Sequence, residues 1–326
     1  MRWLLTLAAL VLIGAGLLAW SNWELSGPSA RQGDQTVVLI PPHSRTHDIA
    51  MLLEDKGVVT SGLLFEANLR LRGLAGRVKA GEYAIPTQAT PSRIAAILIE
   101  GKSIQHKLTA AEGLTSDMIW KLVAADPVLV GDAGPVPAEG ALLPETYLFT
   151  RGESRAALLA KMARAREKFL HRQWAARAPG LPFTSMRQAL ILASIVEKET
   201  ALPQERRHIA GLFINRLKAG MRLQSDPTII YDVSKGYALG RGIRASELAA
   251  ATPYNTYVIA GLPPGPICNP GKDSIAAVLN PEPTHDLFFV ATGHGGHVFS
   301  ASMSQHVKNV AAYRAYERRQ AGALHR

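Results

Sequence analysis

The sequence predicts an α+β protein with an N-terminal transmembrane helix, a small α+β region and a C-terminal domain of mixed α/β structure. Three observations lead to this prediction. The chain begins with a long uncharged apolar run, and its later segments alternate between strand-like and helix-like hydrophobic spacing. A loop rich in Gly and Pro at 126–138 separates two such series of segments. With 326 residues, the chain is long enough to form two domains.

The N-terminal run consists of the eighteen residues from Trp3 to Trp20, and no charge follows before Glu24. About 20 apolar residues span a bilayer as a helix, and tryptophans favour its two interfaces. The alternative is a cleaved signal peptide, whose apolar region is usually shorter and is followed by a small-residue cleavage site that is not evident here. We therefore expect residues 1–22 to anchor the protein, with Arg2 on the cytoplasmic side and the remaining chain across the membrane.

The next segments predict a polar linker at 23–35 and a small domain at 36–125. Helices are recognised here by their capping residues and strands by their short apolar runs. The predicted elements are a strand at 36–40, a helix that Gly57 ends, a helix at about 61–71, a strand at 81–85, and a helix that begins with Thr90-Pro91 and ends at Gly101.

The second domain is predicted at 138–322. Its most distinctive helix has Ser185 as N-cap and continues through an almost wholly apolar run to Thr200. The other predicted elements are a basic helix at about 153–178, a helix at 203–220, a strand or loop in LQSDPTIIYDV, a long ordered loop at 253–271, a helix at 272–280 and a strand at 286–292.

The charge balance favours anionic partners, because 36 Lys and Arg face 26 Asp and Glu and give a net charge of +10. Nucleic acid is disfavoured, since the chain has no zinc-finger spacing and no RNA-stacking motif, and its basic residues are scattered along the sequence. Cys268 is the single cysteine, so an intramolecular disulfide is excluded. No histidine is close to it in sequence, which disfavours a thiol nucleophile.

Glu197 is the first candidate for catalysis. On a helix from Ser185 to Thr200 it shares one face with Ala193 and Ser194, whose small side chains leave room beside its carboxyl group. Desolvation there would raise its pKa, as a general acid at neutral pH requires. The alternative is an ion pair with an arginine at the rim of the core. Glu199 points to the opposite side of the helix, where we expect it to be exposed.

Asp226 is the best candidate for a second carboxyl group, although Asp before Pro also commonly begins a turn. Tyr254, Asn255 and Tyr257 offer the aromatic faces and amide groups that suit a sugar, or else they pack the loop against itself. His297 could hydrogen-bond a substrate. The nearby histidines lack Cys or carboxylate at metal-ligand spacing, so we expect no metal site. No P-loop, dinucleotide motif or serine-hydrolase elbow is present, and no cofactor is predicted.

The segments ASIVEKET, GLFINRLKAGMRLQSDPTIIYDV, PYNTYVIAGLPPGPICNPG and LFFVATGHGGHVFS closely resemble the YceG-like endolytic murein transglycosylases, the MltG family. The resemblance covers almost the whole chain and includes KAGEYAIP and EGALLPETYLF. It implies a single-pass inner-membrane protein whose LysM-like glycan-binding region and catalytic domain lie in the periplasm. It also implies peptidoglycan strands as substrate, peptidoglycan synthases as partners, and Glu197 as the catalytic glutamate.

Such an enzyme cuts nascent glycan strands internally and so limits their length. A glycoside hydrolase needs two carboxyl groups, whereas the MurNAc 6-hydroxyl of a lytic transglycosylase substrate attacks its own C1, so one carboxyl group can act as acid and then as base. Gln224, Ser225, Asp226, Tyr254 and Asn255 are the residues expected to hold the sugar. Two alternatives remain open at this point: a hydrolytic muramidase that uses Glu197 with Asp226, and a non-catalytic wall-binding scaffold.

Overall fold

The computed structural model describes residues 2–25 and 34–324 and confirms an α+β protein with small sheets. Its contacts divide the chain into two compact units. The first contains the residues up to Lys107 together with Leu148–Glu153, and the second contains Leu108–Tyr147 and the chain from Ser154 onward. The predicted boundary at 126–138 therefore lies inside the second unit, because the helix that precedes it packs against a helix that follows it.

The N-terminal helix α1 (Arg2–Leu25) covers most of the predicted anchor. Residue 1 and residues 26–33, which make up most of the predicted linker, lie outside the described part of the chain. Among the helices that the structure describes, none combines the length and the apolar character needed to cross a membrane.

The first unit is built around a two-stranded antiparallel sheet. Strand β1 (Gln35–Ile40) pairs with β2 (Gly81–Pro86) in a register that places Val38 opposite Tyr83, and both of these side chains are buried. Because side chains alternate along a strand, Val37 and Leu39 lie on the other face and are exposed. The remaining elements are the helices α2 (Thr46–Asp55), α3 (Gly62–Leu71) and α4 (Pro91–Glu100).

The ends of helix α4 confirm the predicted caps. The Thr90 hydroxyl accepts a hydrogen bond from the Arg93 N–H at 3.3 Å, and Pro91 occupies the first turn, where its missing N–H is not needed. Gly101 has a φ of 74°, a left-handed conformation that favours glycine and ends the helix. The helix buries Ile94 and Leu98 in the core of the first unit.

The second unit is mainly helical, and two further two-stranded sheets accompany its helices. Strands β3 (His106–Thr109) and β4 (Thr146–Phe149) form one sheet. The other elements are α5 (Ser116–Ala125), α6 (Arg155–Ala175), α7 (Met186–Glu199), α8 (Arg206–Lys218), α9 (Asp226–Ser234), α10 (Ala245–Ala249), α11 (Lys272–Leu279), β5 (Phe288–Ala291), β6 (His297–Ser300) and α12 (Met303–Leu324).

Helix α7 is at the centre of the core of the second unit. Its residues from Ala189 to Val196 are all buried, and it packs against α8 and α11. Ser185 caps its first turn, since its hydroxyl accepts a hydrogen bond from the Gln188 N–H at 3.4 Å, as the sequence predicts. A helix buried on nearly every side must end near polar groups, because its last carbonyls and charged residues need partners.

From Asp226 onward the segment LQSDPTIIYDV forms the helix α9, so the prediction of a strand or loop was wrong for this part. Asp226 and Pro227 begin the helix, and Pro is well suited to a first turn. The two consecutive isoleucines suggested a strand, but on the helix Ile229 is buried and Tyr231 packs against the core of the second unit, and tertiary contacts of this kind override a weak local preference.

The long loop before α11 is fixed by Asn269, which is fully buried. Its side-chain oxygen accepts a hydrogen bond from the Leu142 N–H at 2.9 Å, and its amide nitrogen donates to the Leu114 carbonyl at 3.1 Å. Cys268 beside it is also fully buried, and its thiol donates to the Ser194 carbonyl at 3.4 Å. The backbone of this loop is therefore held directly against helix α7.

Candidate active site

Two glutamates leave the end of helix α7 in different directions. Residues two apart on a helix are separated by about 200°. Glu199 continues the stripe of Leu192, Ile195 and Val196, each of which is 0% exposed. Glu197 continues the stripe that contains Ser194. Because α7 is buried on both sides, each carboxyl group enters the interior of the second unit, and the expectation that Glu199 would be exposed was wrong.

The carboxyl group of Glu197 contacts the loop before α11, and it does not face the open channel that the sequence predicted. The small Ser194 side chain below it admits the loop backbone, and the Ser194 hydroxyl accepts a hydrogen bond from the Ile267 N–H at 3.0 Å. The Gly271 N–H donates to Glu197 Oε2 at 2.8 Å. Arg206 Nη2 lies 3.8 Å from Glu197 Oε1. The Glu197 side chain, 6% exposed, is thus committed to a backbone hydrogen bond and an ion pair.

Arg206 links Glu197 to two further carboxylates. Its guanidinium group lies 3.5 Å from Glu112 Oε2 and 3.5 Å from Asp273 Oδ2. Burial, together with the charge of Glu197, raises the pKa of Glu112. This is the rim ion pair that the sequence left open as the alternative for Glu197.

Glu199 lies in a separate cavity of about 300 Å³ and accepts a short hydrogen bond from the Ser225 hydroxyl. Burial raises the pKa of Glu199 to about 7, and the negative charge of Asp226 adds to the rise. The Ser225 hydrogen bond and the positive charges of His297 and Arg216 act in the opposite direction. At neutral pH the carboxyl group is therefore partly protonated.

Three residues predicted to hold a sugar lie around this carboxyl group. Gln224, Asp226 and Tyr257 all line the cavity. The Tyr257 hydroxyl donates to Asp226 Oδ1 at 2.6 Å, which fixes the position of that carboxylate. Gln224 has a φ of 52°, in the left-handed region, and its N–H donates to the Thr256 carbonyl at 3.1 Å. Such a strained conformation persists only where the surroundings hold it.

Ser225 lies beneath the carboxyl group and is 1% exposed. Its N–H donates a hydrogen bond to the Thr256 hydroxyl at 2.9 Å, and its own hydroxyl donates one to the Glu199 carboxyl group. Ser225 is the N-cap residue of α9, yet its side chain makes no cap hydrogen bond within that helix. Its position suits a residue that orients Glu199 more than one that contacts a substrate.

Tyr254 and Asn255 lie outside the lining of this cavity. Asn255 is fully buried, and its amide group donates to the carbonyls of Leu248 and Ala250 at 3.0 and 2.8 Å. Tyr254 packs on Tyr231 with ring centroids 5.0 Å apart. A fully buried amide cannot contact a substrate, so Asn255 orders the loop, which is the alternative that the sequence left open.

His297 does not line the cavity but is connected to the end of α7 through Glu205. Its Nδ1 lies 2.7 Å from Glu205 Oε2, and its N–H donates to Glu205 Oε1 at 2.8 Å. Burial alone would raise the pKa of Glu205, but these hydrogen bonds from His297 outweigh it and lower the pKa. The Thr200 hydroxyl also donates to Glu205, at 3.1 Å, and Thr200 directly follows Glu199. His297 therefore holds the end of α7 through Glu205.

The sequence reasoning missed three other residues that line the cavity: Arg216, Phe289 and His306. Arg216 is buried and donates to the Leu287 and Leu223 carbonyls, each at 2.6 Å. It comes from α8, whereas Phe289 and His306 come from β5 and α12. No motif joins these three positions along the chain. The signal for Glu199, by contrast, was present, since it extends the stripe of Leu192 and Ile195.

The arrangement can supply and recover a proton. A carboxyl group with a pKa near the working pH is suited to general acid catalysis. Asp226 provides a second, fixed carboxylate in the same cavity, and Phe289 provides an apolar wall. The size of the cavity is at the lower end of the range of about 300–1,000 Å³ that is usual for small-ligand sites.

The fold and this cavity define an α+β protein of two units in which a buried carboxyl group faces a polar pocket. The chain belongs to the YceG-like family, whose model matches residues 38–312. A YceG-like protein of Listeria monocytogenes has a similar crystal structure, with a TM-score of 0.52 and 30% identity over 84% of this chain and 98% of that one.

Two curated relatives are named endolytic murein transglycosylase. The protein of Streptococcus pneumoniae serotype 2 is 29% identical over 323 residues, which cover 84% of this chain and 57% of the relative. The protein of Bacillus subtilis strain 168 is 34% identical over 173 residues, which cover 53% of this chain and 47% of the relative. The chain thus spans about half of the length of the curated relatives that it matches.

The raised pKa of Glu199 makes a testable contribution to stability. Between its ordinary value of 4.5 and about 7, the folded protein holds a proton that the unfolded chain releases. Stability therefore falls as the pH rises through this range, and the loss is complete above it. We expect Glu199→Gln to match the wild type near pH 4 and to exceed its free energy of unfolding by about 3 kcal/mol at pH 8. Urea unfolding across this pH range measures the difference.

Glu197→Gln is the matched control, because it makes the same change two residues away. It removes the charge that faces Arg206, so at pH 8 we expect a loss of about 1 kcal/mol or more. If Glu199→Gln is instead less stable than the wild type at pH 8, the ionised carboxylate is stabilised by its surroundings, and the burial argument fails.

Proposed function

We propose that this protein is an endolytic peptidoglycan lytic transglycosylase. It cleaves the MurNAc–GlcNAc bond within nascent glycan strands, leaves 1,6-anhydroMurNAc ends and so limits strand length. The observation that carries the proposal is the partly protonated carboxyl group of Glu199 in a cavity with Asp226 and Tyr257. The names of the curated relatives support both the substrate and the reaction.

Glu199 is the general acid in this proposal. Its protonated carboxyl group donates a proton to the glycosidic oxygen as the bond to C1 breaks. Ser225 and the Thr200–Glu205–His297 contacts hold the end of α7, so that the carboxyl group keeps its place as the proton leaves. A positioned acid of this kind typically contributes about 10²–10⁴-fold to a rate.

The nucleophile comes from the sugar itself. The MurNAc 6-hydroxyl attacks C1 and closes the anhydro ring, so the reaction needs no activated water. Glu199 has by then given up its proton and can accept the one that the 6-hydroxyl releases. An intramolecular attack from a held geometry also gains a large advantage from proximity.

The remaining cavity residues hold the sugar ring. Asp226 keeps one carboxylate oxygen on the Tyr257 hydroxyl, and its second oxygen, which has no hydrogen bond within the described residues, can accept one from a sugar hydroxyl or stabilise the positive charge that develops at C1. Phe289 offers an apolar wall to the C–H groups of the ring, and Gln224 offers an amide. Three of the residues that the sequence assigned to sugar binding thus have a place in the proposal.

Glu197 was the catalytic glutamate expected from the sequence, and the geometry favours Glu199 instead. Glu197 is engaged by the Gly271 N–H and by Arg206, whereas Glu199 faces the residues expected to bind the sugar. In this proposal the role of Glu197 is structural, because its carboxyl group holds the loop that leads into α11. The two assignments make opposite predictions for the same pair of substitutions.

Asp226 lies in the same cavity as Glu199, and this arrangement is also compatible with a hydrolytic muramidase, because such an enzyme uses two carboxyl groups. In that case a water molecule would attack C1, and the new ends would be reducing sugars. The relatives' name favours the lyase over this muramidase and over a non-catalytic scaffold.

The first unit is the glycan-binding region of the proposal. It is compact and has its own core, and the outer face of its sheet exposes Val37 and Leu39. Apolar side chains on an open face can pack on the C–H groups of sugar rings. A second contact with the strand would keep the enzyme on a glycan during successive encounters.

Helix α1 is the membrane anchor of the proposal, in the inner membrane, with the catalytic unit in the periplasm. The support for this placement is the uncharged run from Trp3 to Trp20 and the position of Arg2 before it. Such an anchor would keep the cavity close to the membrane, where nascent strands emerge.

The catalytic assignment is tested by two single substitutions. We expect Glu199→Gln to lower the rate of strand cleavage at least about 100-fold, since the general acid is lost. We expect Glu197→Gln to stay within about tenfold of the wild type. Mass spectrometry of digested strands counts the anhydro ends. A large loss of activity in Glu197→Gln and a small one in Glu199→Gln would instead identify Glu197 as the catalytic acid. New strand ends that carry an added water would show that the enzyme is a muramidase.

The glycan-binding part is tested by sedimentation with insoluble peptidoglycan. We expect the double substitution Val37→Ser with Leu39→Ser, made in the inactive Glu199→Gln chain, to weaken binding several-fold, because the apolar face is lost. Leu71→Ser is the matched control, since it removes an exposed leucine from helix α3. Equal binding by all three chains would contradict the proposed surface.

The anchor is tested by membrane fractionation. We expect the full chain to stay in the membrane fraction after washing with high salt and carbonate, and a chain without residues 1–22 to be released. A full chain that washes off would show that α1 does not span the bilayer.

A further inference from the structure

The C-terminal helix α12 brings one side chain to the cavity of Glu199. His306 lines the cavity together with Asp226 and Arg216, although it is 80 residues further along the chain than Asp226. Its ring stacks on Phe288, with centroids 5.2 Å apart and planes inclined by 23°. This packing fixes the plane of the imidazole ring.

Neither ring nitrogen of His306 has a hydrogen-bond partner within residues 2–25 and 34–324. Nδ1 is buried without a partner, whereas Nε2 is not among the buried atoms and remains accessible. Burial, assisted by the charge of Arg216, lowers the pKa of His306, so its neutral form predominates at neutral pH. A neutral imidazole carries one N–H and one lone pair.

The burial of Nδ1 decides which nitrogen carries the hydrogen. An N–H group that is buried without an acceptor is among the least favourable arrangements in a protein, and an unused lone pair is tolerated better. The favoured tautomer therefore has its lone pair at the buried Nδ1 and its N–H at the accessible Nε2. His306 then presents a hydrogen-bond donor at the cavity.

Among the other polar groups of the cavity, the carboxyl groups are acceptors, and the side-chain amide of Gln224 is a second group that can donate a hydrogen bond. Glu199 and Asp226 supply carboxyl oxygens, and the Tyr257 hydroxyl already donates its hydrogen bond to Asp226. Arg216 uses two of its nitrogens on backbone carbonyls. Sugar hydroxyls can donate to the carboxyl groups, but a carbonyl oxygen on the substrate needs a donor. On a neutral amino sugar, the strongest acceptor is the carbonyl oxygen of its acetamido group.

We propose that His306 is a specificity-determining residue whose Nε2–H donates a hydrogen bond to the acetamido carbonyl of the sugar in the Glu199 cavity. The inference rests on the proposed cleavage of glycan strands and deepens it. It means that the enzyme distinguishes N-acetylated sugars from sugars that carry a free amine. It also means that α12 completes the site.

The test is an internal competition on glycan strands from which about half of the acetyl groups have been removed. Mass spectrometry reads how often each sugar next to a new anhydro end is acetylated, which gives the ratio of kcat/KM for the two kinds of site. We expect the wild type to favour acetylated sugars. In His306→Phe, which keeps a ring to stack on Phe288, we expect that preference to fall about 3- to 10-fold, as the loss of one hydrogen bond implies.

Two further variants separate recognition from structure. His306→Gln retains an N–H donor and should keep part of the preference. His171→Phe makes the same change at an exposed position on α6 and should keep all of it. Any effect of deacetylation on the chemistry itself is common to all variants and cancels in the comparison.

The inference is overturned if His306→Phe keeps the wild-type preference, or if the wild type has none. A preference lost equally in His171→Phe would also overturn it. Its failure remains distinct from failure of the proposed function, which would appear as a wild type that makes no anhydro ends on fully acetylated strands. That result would refute both.

Discussion

The candidate site of the second unit depends on the burial of one carboxyl group against one hydroxyl, the contact of Glu199 with Ser225. A carboxylate at the end of an apolar helix is costly to desolvate, and a single neutral hydrogen bond does not offset the whole cost. The protein tolerates it because the residues below it, Ile195 and Val196, are fully buried and anchor α7 in the core. Ser225 is the N-cap residue of α9, but its hydroxyl donates a hydrogen bond to Glu199 instead of capping that helix. Pro227 in the first turn of α9 has no N–H group, which reduces the need for the cap.

The two glutamates at the end of α7 show how neighbouring side chains of one type can differ in chemistry. Glu197 meets a cation and a backbone N–H, so its charged form has partners. Glu199 meets a hydroxyl and another carboxylate, so its neutral form is favoured. The difference arises from what packs against each side of the helix: the loop held by Asn269 on one side and the start of α9 on the other.

Much of the architecture could be predicted from the sequence, because local rules fix it. The caps at Thr90 and Ser185 lie where they were predicted, and the α+β class is confirmed. The helix α9 was missed, because its β-branched residues suggest a strand and only the burial of Thr228 and Ile229 in the folded protein shows otherwise. For Glu197 the sequence left two environments open, a substrate channel and an ion pair at the rim of the core, and the structure has the ion pair. Small residues show that something approaches closely, but not whether it is a substrate or a loop backbone.

The site itself depends on long-range contacts that no local pattern contains, and its electrostatic balance is the clearest case. Burial and Asp226 raise the pKa of Glu199, while Ser225, His297 and Arg216 lower it, and the result is about 7. Burial alone would raise the pKa further and give a weaker acid, which would donate its proton to the glycosidic oxygen less readily. The opposing cation Arg216 comes from α8 and is held by the backbone before β5. A group that must act as acid and then as base needs this intermediate value, so residues from several distant elements are required to produce it.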